Sequence, residues 1–146
     1  MKLSTNLRYG LRAMIEIAMN EEDKPIVVQS IAEKQLISRK YLDKILLDLK
    51  KAGLVNSTRG YKGGYTLARP SSEINVYDIA KAVGDTPTLV DCIESKSYCS
   101  RRELCVTFDF WEEVSNVIRR MFENKTLEML VIESKEKEAN YQLFYI

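Results

Sequence analysis

The amino-terminal part of the chain carries apolar residues at helical spacing, so that one face of a helix would bury them. They are Leu3, Leu7, Leu11, Met14, Ile15 and Ala18. Asn20 and the charged residues after it interrupt this pattern. We therefore expect one amphipathic helix that ends near Asn20.

Two more helices joined by a short turn are predicted next. Ile31 and Ala32 lie on the first, "QLI" at 35–37 forms the turn, and Ser38 is suited to cap the second. Successive residues of an α-helix are rotated by about 100°. At that spacing the apolar stripe of the second helix consists of Leu42, Ile45, Leu46 and Leu49. The opposite face holds Lys40, Asp43, Lys44, Leu47 and Lys51. Gly53 follows as a C-terminal stop.

A glycine-rich turn then separates two β-prone runs. The runs cover 54–58 and 65–68, and "RGYKGG" between them has the glycines that a hairpin turn needs. Helix, turn, helix and hairpin in this order are typical of a winged helix-turn-helix, with the wing at about 54–68. We therefore expect a mainly α fold with a small β-hairpin (α+β). The alternative is a small α+β protein that shows the same order without binding DNA.

The second half of the chain predicts a short helix, a segment without periodicity, and long helices. Asn75 and Asp78 are placed to cap a helix over about 76–83. After the patternless segment, apolar residues cover about half of a helix surface, more than the ~100° stripe of a single core contact. They are Phe108, Phe110, Trp111, Val114, Val117, Ile118, Met121 and Phe122. We expect this helix to form the interface of a homodimer. The alternative is a helix that is buried in the core of a monomer.

These patterns divide the chain into three parts. Residues 1–84 are expected to form the DNA-binding domain, 85–106 a cysteine-bearing loop, and 107–146 the dimerisation helices and an apolar tail that docks at an undetermined place. A chain of 146 residues that is 45% hydrophobic can bury an ordinary core. With no apolar run of membrane length and no signal peptide, we expect a cytosolic protein.

The net charge of +1 hides an uneven distribution along the chain. From position 33 to 69 there are nine Lys and Arg against three Asp and Glu, whereas from 103 to 138 there are five against nine. The basic first half favours contact with DNA phosphates, and a merely solvated charged face is the alternative. The chain has no histidine, no GxSxG, no Walker loop and no nucleotide fingerprint, so we do not expect an enzyme or a small-molecule substrate.

All three cysteines, Cys92, Cys99 and Cys105, fall in one short polar stretch. Their odd number and the expected reducing compartment argue against a disulfide. Lys96, Arg101 and Arg102 are near in sequence, and a helix begins after Cys105, so thiolates are favoured. Three thiolates in one loop can converge on a single metal centre. Zinc would need a fourth ligand that is not histidine, and an iron–sulfur cluster accepts cysteine ligation.

Taken together, these segments resemble the bacterial winged-helix iron–sulfur transcription regulators of the IscR, NsrR and RirA type. The matching stretches are "MKLSTNLRYGLRAM", "IAEKQLISRKYLDKILLDLKKAGLV", "RGYKGGY", the cysteine trio and "FWEEVSNVI". The resemblance implies a homodimer that binds a pseudo-palindromic double-stranded operator with an affinity set by its cluster. It further implies that the wing, with Arg59 and Lys62, contacts the DNA, Arg59 in the minor groove. The residues that it implies in contact with the major groove are Ser38, Arg39, Lys40, Tyr41, Asp43 and Lys44.

The fourth cluster ligand is where the chain departs from that family. IscR-like members have a histidine three residues after the third cysteine, where this chain has Phe108, and other members use residue 8 of the partner, here Arg8. Asp91, Asp109, Asn6, a water or an exogenous thiol are the candidates that remain. By resemblance we expect a 2Fe–2S cluster rather than 4Fe–4S. A thiol redox switch or a zinc site without iron is the alternative.

Overall fold

The protein is a bundle of helices with one small sheet. The computed structural model describes residues 3–20, 24–95 and 98–145, and the following statements refer to those residues. The helices are α1 Thr5–Met19, α2 Val28–Gln35, α3 Arg39–Lys51, α4 Val76–Ala82, α5 Asp91–Glu94, α6 Val106–Asn124 and α7 Leu127–Tyr145. The sheet pairs β1 Val55–Thr58 with β2 Gly64–Leu67, and 3-10 turns lie at Ser71–Glu73 and Arg102–Leu104.

Helix α1 lies at the centre of the core, and its predicted buried face is only partly right. Its N-terminus is capped by Ser4, whose Oγ accepts from the N–H of Leu7 at 3.2 Å. Leu7 and Met14 are buried as expected, but Leu3, Leu11, Ile15 and Ala18 are only half-buried. Because α1 packs against α2, α3, α4 and α7, burial extends beyond a single stripe. The other buried residues of α1 are Gly10, Ala13, Glu16 and Ile17.

The second and third helices follow the prediction closely. Ser38 caps α3, its Oγ accepting from the N–H of Tyr41 at 3.3 Å. The turn between the two helices places Leu36 in the left-handed region at φ 53°. The four residues of the predicted stripe are the four buried residues of α3, namely Leu42, Ile45, Leu46 and Leu49. The prediction of a helix-turn-helix is confirmed.

The β-hairpin also lies where the sequence predicts, within one residue at either end. Val55 pairs with Leu67 and Thr58 with Gly64 in an antiparallel register. Ile26 adds an isolated bridge to β2, exchanging backbone hydrogen bonds with Tyr65 at 3.0 and 2.9 Å. A Cβ on Gly64 would lie 2.4 Å from the carbonyl oxygen of Ile26, so this close approach requires glycine.

Helix α4 has the predicted caps, but the segment after it has more structure than expected. Asn75 Oδ1 accepts from the N–H of Asp78 at 2.8 Å, and Asp78 Oδ2 accepts from the N–H of Asn75 at 3.1 Å. The expectation of a loop over 85–106 is wrong in part. Four residues form α5, and 102–104 form a 3-10 turn. Such short elements carry no periodicity that a sequence could reveal.

The last two helices share the core of the winged domain at one end and project apolar side chains at the other. Leu127 of α7 is fully buried and belongs to the same hydrophobic cluster as α1 and α3. The expected docking of the tail is not observed in this single chain, since 141–145 continue α7 and their apolar side chains are exposed. Ile146 lies outside the described residues. None of the described helices is long and apolar enough to cross a bilayer.

Candidate DNA-binding surface and cysteine site

The N-terminal half of α3 presents its predicted contact residues to solvent. Ser38, Arg39, Lys40, Tyr41, Asp43 and Lys44 are all exposed. Arg39 Nε lies 3.9 Å from Asp43 Oδ2 across one helical turn, so the carboxylate offsets part of the positive charge there. The face retains a net positive charge that suits phosphate contact.

The first turn of α3 is joined to the first turns of α1 by a long-range contact that the sequence did not reveal. The hydroxyl of Tyr41 donates to Oδ1 of Asn6 at 2.7 Å. The rings of Tyr9 and Tyr41 meet edge to face with centroids 5.5 Å apart, and the Arg12 guanidinium lies 5.4 Å from the Tyr9 centroid. Tyr41 is thereby oriented by α1 as well as by its own helix.

A polar network fixes the C-terminal end of α2 to the same helix. Arg12 donates through Nε to Oε1 of Gln35 at 2.8 Å, and also to the backbone carbonyl of Gln35. Gln35 Nε2 in turn donates to Oε1 of Glu16 at 2.6 Å, and Lys34 Nζ lies 3.4 Å from Oε2 of Glu16. Glu16 is buried, and these bonds satisfy its carboxylate. The network holds the turn that sets the position of α3.

The hairpin tip carries the predicted wing residues on exposed positions. Arg59 and Lys62 are both exposed, and Tyr61 between them is completely so. A Cβ on Gly63 would lie 2.3 Å from the carbonyl oxygen of Thr58, so the tip keeps its shape only with glycine there. At the base of the wing, Lys50 Nζ donates to Ser57 Oγ at 2.5 Å, which joins α3 to β1.

The three cysteines lie on three different local elements. Cys92 is in α5, Cys99 follows in a turn, and Cys105 immediately precedes α6. All three are free and half-buried. Across residues 3–20, 24–95 and 98–145, no three His, Cys, Asp or Glu side chains are grouped closely enough to hold a metal ion. Lys96, predicted to favour thiolates, lies outside the described residues.

The Cys105 thiol has surroundings that favour its ionised form. Its Sγ lies 3.2 Å from Oγ1 of Thr107. The hydrogen bond with Thr107 is the main cause that lowers the pKa of Cys105, and the backbone N–H groups of Phe108 and Thr107 and the charge of Arg101 act in the same direction. Thiolate is the form that binds metals and reacts with oxidants.

Arg102 is held beside the cysteines in an unusual environment. Its guanidinium lies 4.3 Å from the centroid of the Phe108 ring, and Nη2 is 3.9 Å from Oε1 of Glu112. Nη1 is buried and has no hydrogen-bond partner among the described residues. Arg102 also lines an open surface pocket together with Cys99, Ser100 and Glu103. Of the three thiols, the one that lines this pocket with Arg102 is that of Cys99.

The candidate fourth ligands are spread over different parts of the structure. Asp91 is exposed in the first turn of α5, and Asp109 is exposed in the first turn of α6. Asn6 is bonded to Tyr41, and Arg8 donates to Thr5 Oγ1 at 3.3 Å. Among the described residues, neither Asp91 nor Asp109 is grouped with two of the thiols closely enough to hold a metal ion.

The cysteine segment is fixed to the winged domain at its beginning. The backbone N–H of Ser4 donates to Asp85 Oδ2 at 2.8 Å, so the first residue of the segment meets the N-terminus of α1. Helix α5 packs against α6, and α6 against α4. The segment therefore contacts α1 at its beginning, and α1 contacts α3.

Comparisons with known proteins identify the regulators to which this chain is similar. Residues 3–133 match the family described as Rrf2, an iron-dependent transcriptional regulator. The Rrf2 protein of Nitratidesulfovibrio vulgaris is 39% identical over 127 residues, which cover 87% of this chain and 85% of that protein.

Two solved structures share the fold. IscR of T. potens superposes with a TM-score of 0.76 at 34% identity, over 94% of this chain and 90% of that one. CymR of B. subtilis, described as the global cysteine regulator, superposes with a TM-score of 0.74 at 32% identity, over 91% and 98%. The predicted winged-helix fold and the resemblance to IscR are confirmed.

Proposed function

Because this chain belongs to the Rrf2 family of transcriptional regulators, we propose that it is a homodimer whose operator affinity is set by an iron–sulfur cluster. Its relatives are DNA-binding regulators and not enzymes. The proposed domain organisation is a DNA-binding domain over 1–84, a cluster segment over 85–106 and a dimerisation unit over 107–146. The cluster would be held by Cys92, Cys99 and Cys105.

One observation carries this proposal. A segment with three free thiols begins at a residue that is hydrogen-bonded to the cap of α1, through Asp85 and Ser4, and it ends at the start of α6. The same α1 helix contacts α3. A centre bound by the thiols would thus lie between the DNA-binding helices and the helix assigned to the dimer.

The DNA-binding surface in this proposal combines α3 and the wing. The exposed residues of α3 from Ser38 to Lys44 would enter the major groove. Arg59, which is followed by Gly60 at the hairpin tip, would enter the minor groove, where narrow A·T-rich sequences enhance the negative potential. Lys62 would add a phosphate contact, and a two-fold dimer would require a pseudo-palindromic operator.

The dimer in this proposal is built on α6 and α7. Phe110, Trp111, Val117 and Met121 of α6 are exposed in the single chain, between 39% and 66%. Met129 and Ile132 of α7 are exposed as well. Exposed apolar side chains of this size on two long helices are typical of an interface between subunits.

The cysteine site in this proposal holds the cluster by three thiolates and an undetermined fourth ligand. Asp91, Asp109, Asn6, a water or an exogenous thiol remain the candidates, and 2Fe–2S is favoured over 4Fe–4S. Such a cluster, when bound, supplies one-electron redox chemistry and an iron atom that oxygen, nitric oxide or iron shortage can affect. The chain itself contributes the thiolates, the hydrogen bond from Thr107 and the link from Asp85 to α1.

A thiol switch or zinc site without iron is the second candidate. The hydrogen bond with Thr107 that lowers the pKa of Cys105 favours it, because the thiolate is the form that reacts with oxidants and binds zinc. The two candidates differ in colour and in metal content, since an iron–sulfur protein absorbs visible light and a zinc protein does not.

The test is anaerobic purification followed by an absorption spectrum and by iron, sulfide and zinc analysis. We expect a brown protein with stoichiometric iron and sulfide. Cys92→Ala, Cys99→Ala and Cys105→Ala should each lose most of the iron, whereas Ser100→Ala, in the same segment, should retain it. A colourless wild type that contains zinc, or no metal, would overturn the iron–sulfur proposal in favour of the second candidate.

A further inference from the structure

The tip of the wing carries a tyrosine whose side chain takes no part in the packing of the fold. The N–H of Gly63 donates to the carbonyl oxygen of Gly60 at 3.0 Å, which closes a four-residue turn with Tyr61 and Lys62 as its central residues. The side chain of Tyr61 is completely exposed, so its ring buries no surface against the described residues. Central positions of turns usually hold small or polar residues. The aromatic ring at this tip is therefore available to a binding partner.

The backbone on both sides of Tyr61 is held in place by the fold. Gly60 has a φ of 107°, a positive value that favours glycine. Beyond the turn, the start of β2 is held against Ile26, which exchanges two backbone hydrogen bonds with Tyr65. The wing thus presents Tyr61 on a backbone that is ordered before any partner binds, and this lowers the entropic cost of binding.

The charge around Tyr61 fits a polyanionic partner. From position 49 to 72 the chain has five Lys and Arg and no Asp or Glu. Two of the five, Arg59 and Lys62, are exposed within two positions of Tyr61. A ring between two cations is poorly suited to an apolar groove of another protein. The backbone of duplex DNA, in contrast, offers phosphates to the cations and deoxyriboses to the ring.

We propose that Tyr61 is a DNA-contacting residue of the wing, whose ring packs against a deoxyribose beside the minor groove and whose hydroxyl donates a hydrogen bond to a phosphate oxygen. This inference rests on the proposed function, in which the wing binds DNA through Arg59 and Lys62. Tyrosine hydroxyls are among the groups with which proteins contact phosphates, and such contacts fix the register of a protein on the duplex. Because Tyr61 is uncharged, its contact adds affinity without adding to the salt dependence.

The experiment compares Tyr61→Ala and Tyr61→Phe with Arg59→Ala, Lys62→Ala and the wild type, all purified anaerobically. The probes are a duplex that the wild type selects from a random library and an unrelated duplex of the same length. Affinity is titrated at several salt concentrations, hydroxyl-radical cleavage maps the protected deoxyriboses, and the melting temperature and dimer mass of each protein are measured. Tyr141→Ala is the matched control, because it removes the same side chain from an exposed position of α7.

We expect Tyr61→Ala to bind the selected duplex about 10-fold more weakly, and Tyr61→Phe, which lacks only the hydroxyl, about 5-fold more weakly. Both should keep the salt dependence of the wild type, whereas Lys62→Ala should lower its slope by about one. Tyr61→Ala should lose protection of the deoxyriboses at the wing, and Tyr61→Phe should retain it. The melting temperature should not change, because the ring packs against nothing in its own chain.

Three outcomes would overturn the inference while leaving the proposed function intact. The first is wild-type affinity and protection in Tyr61→Ala together with weakened binding in Arg59→Ala. The second is an equal loss of affinity in Tyr141→Ala, and the third is a lowered melting temperature of Tyr61→Ala, which would make Tyr61 a packing residue. Unchanged affinity in Arg59→Ala, Lys62→Ala and Tyr61→Ala alike would instead remove the wing from the proposed DNA-binding surface. A wild type that selects no duplex would overturn the proposed function, and the inference with it.

Discussion

The hydroxyl of Tyr41 donates a hydrogen bond to Oδ1 of Asn6 at 2.7 Å, across 35 positions of sequence. Tyr41 lies in the first turn of the helix proposed to enter the major groove, and Asn6 in the first turn of α1. The edge-to-face contact between Tyr9 and Tyr41 supports the same arrangement. The helix proposed to contact DNA is thus oriented by the helix whose cap is joined to the cysteine segment.

The first prediction concerns the strength of this contact. In cluster-free protein, Tyr41→Phe and Asn6→Ala should each lower the free energy of unfolding, and the double variant should lower it by less than their sum. We expect a coupling of about 1 kcal/mol, the usual net value of one hydrogen bond. Urea unfolding of the four proteins measures it. A coupling near zero would mean that the bond does not persist in solution.

The second prediction concerns DNA contact by the wing and α3. Arg59→Ala should weaken operator binding and reduce the preference for the operator over unrelated DNA, because a guanidinium in a narrow minor groove senses its width. Lys40→Ala and Lys44→Ala should weaken binding to the operator as well. If Lys44 contacts only phosphate, its loss weakens binding to all sequences alike and lowers the salt slope by about one.

Titration of one operator and one unrelated duplex at several salt concentrations checks this prediction. Lys81→Ala is the control, because Lys81 is exposed on α4 and belongs to neither proposed contact element. Unchanged operator affinity in all three variants at α3 and the wing would contradict the assignment of the DNA-binding surface.

Local signals allowed much of the fold to be predicted. The stripe of α3 was predicted fully because that helix packs on the core with one face only, and its Ser38 cap and the Asn75–Asp78 capping box depend on residues three apart. The face of α1 was predicted less well, because four helices surround it and a charged residue, Glu16, is buried there by partners from α2. Hydrophobic periodicity carries no information on such long-range polar pairs.

The candidate site also has a part that could be predicted from the sequence and a part that could not. The sequence placed the proposed DNA-contacting residues on exposed positions. Those of α3 follow from the helical period, and those of the wing from their place at the tip of a hairpin. It did not predict the contact of Arg102 with the Phe108 ring or the bond between Tyr41 and Asn6. Both depend on tertiary contacts, and the short helix that carries Cys92 is shorter than the window over which periodicity can be recognised.

The third prediction concerns the buried carboxylate of Glu16. Glu16→Ala removes the acceptor of Gln35 Nε2 and the partner of Lys34, and it leaves a half-buried amide without its bond. We expect the free energy of unfolding to fall by ~1–3 kcal/mol. Glu33→Ala, at an exposed position of α2, should change it by less than ~0.5 kcal/mol. Urea unfolding of both cluster-free variants provides the comparison, and similar losses would contradict a structural role for the network.

The last prediction concerns communication between the cysteine segment and the DNA-binding surface. The segment begins at Asp85, which is bonded to the N–H of Ser4, and it ends at α6. Ordering it around a cluster would fix α1 relative to α6, and α1 orients α3 through Asn6 and Tyr41. Loss of the cluster would loosen the relative placement of the two α3 helices in the proposed dimer, whose half-sites must lie about one DNA turn apart.

We therefore expect the cluster-bound and cluster-free dimers to bind one operator with affinities that differ roughly 5- to 150-fold, the range of a coupling of ~1–3 kcal/mol. Either form can be the tighter binder, because the sign depends on which placement of α3 fits the operator. Anaerobic titration of one operator with both forms at fixed salt measures the ratio, with the mass of each dimer determined in the same buffer. Cluster-free Cys92→Ala is the control and should bind like the cluster-free wild type. Equal affinities of two dimeric forms would reduce the cluster to a structural element and would exclude a sensing role, because a ligand shifts an equilibrium only by its differential affinity for the two states.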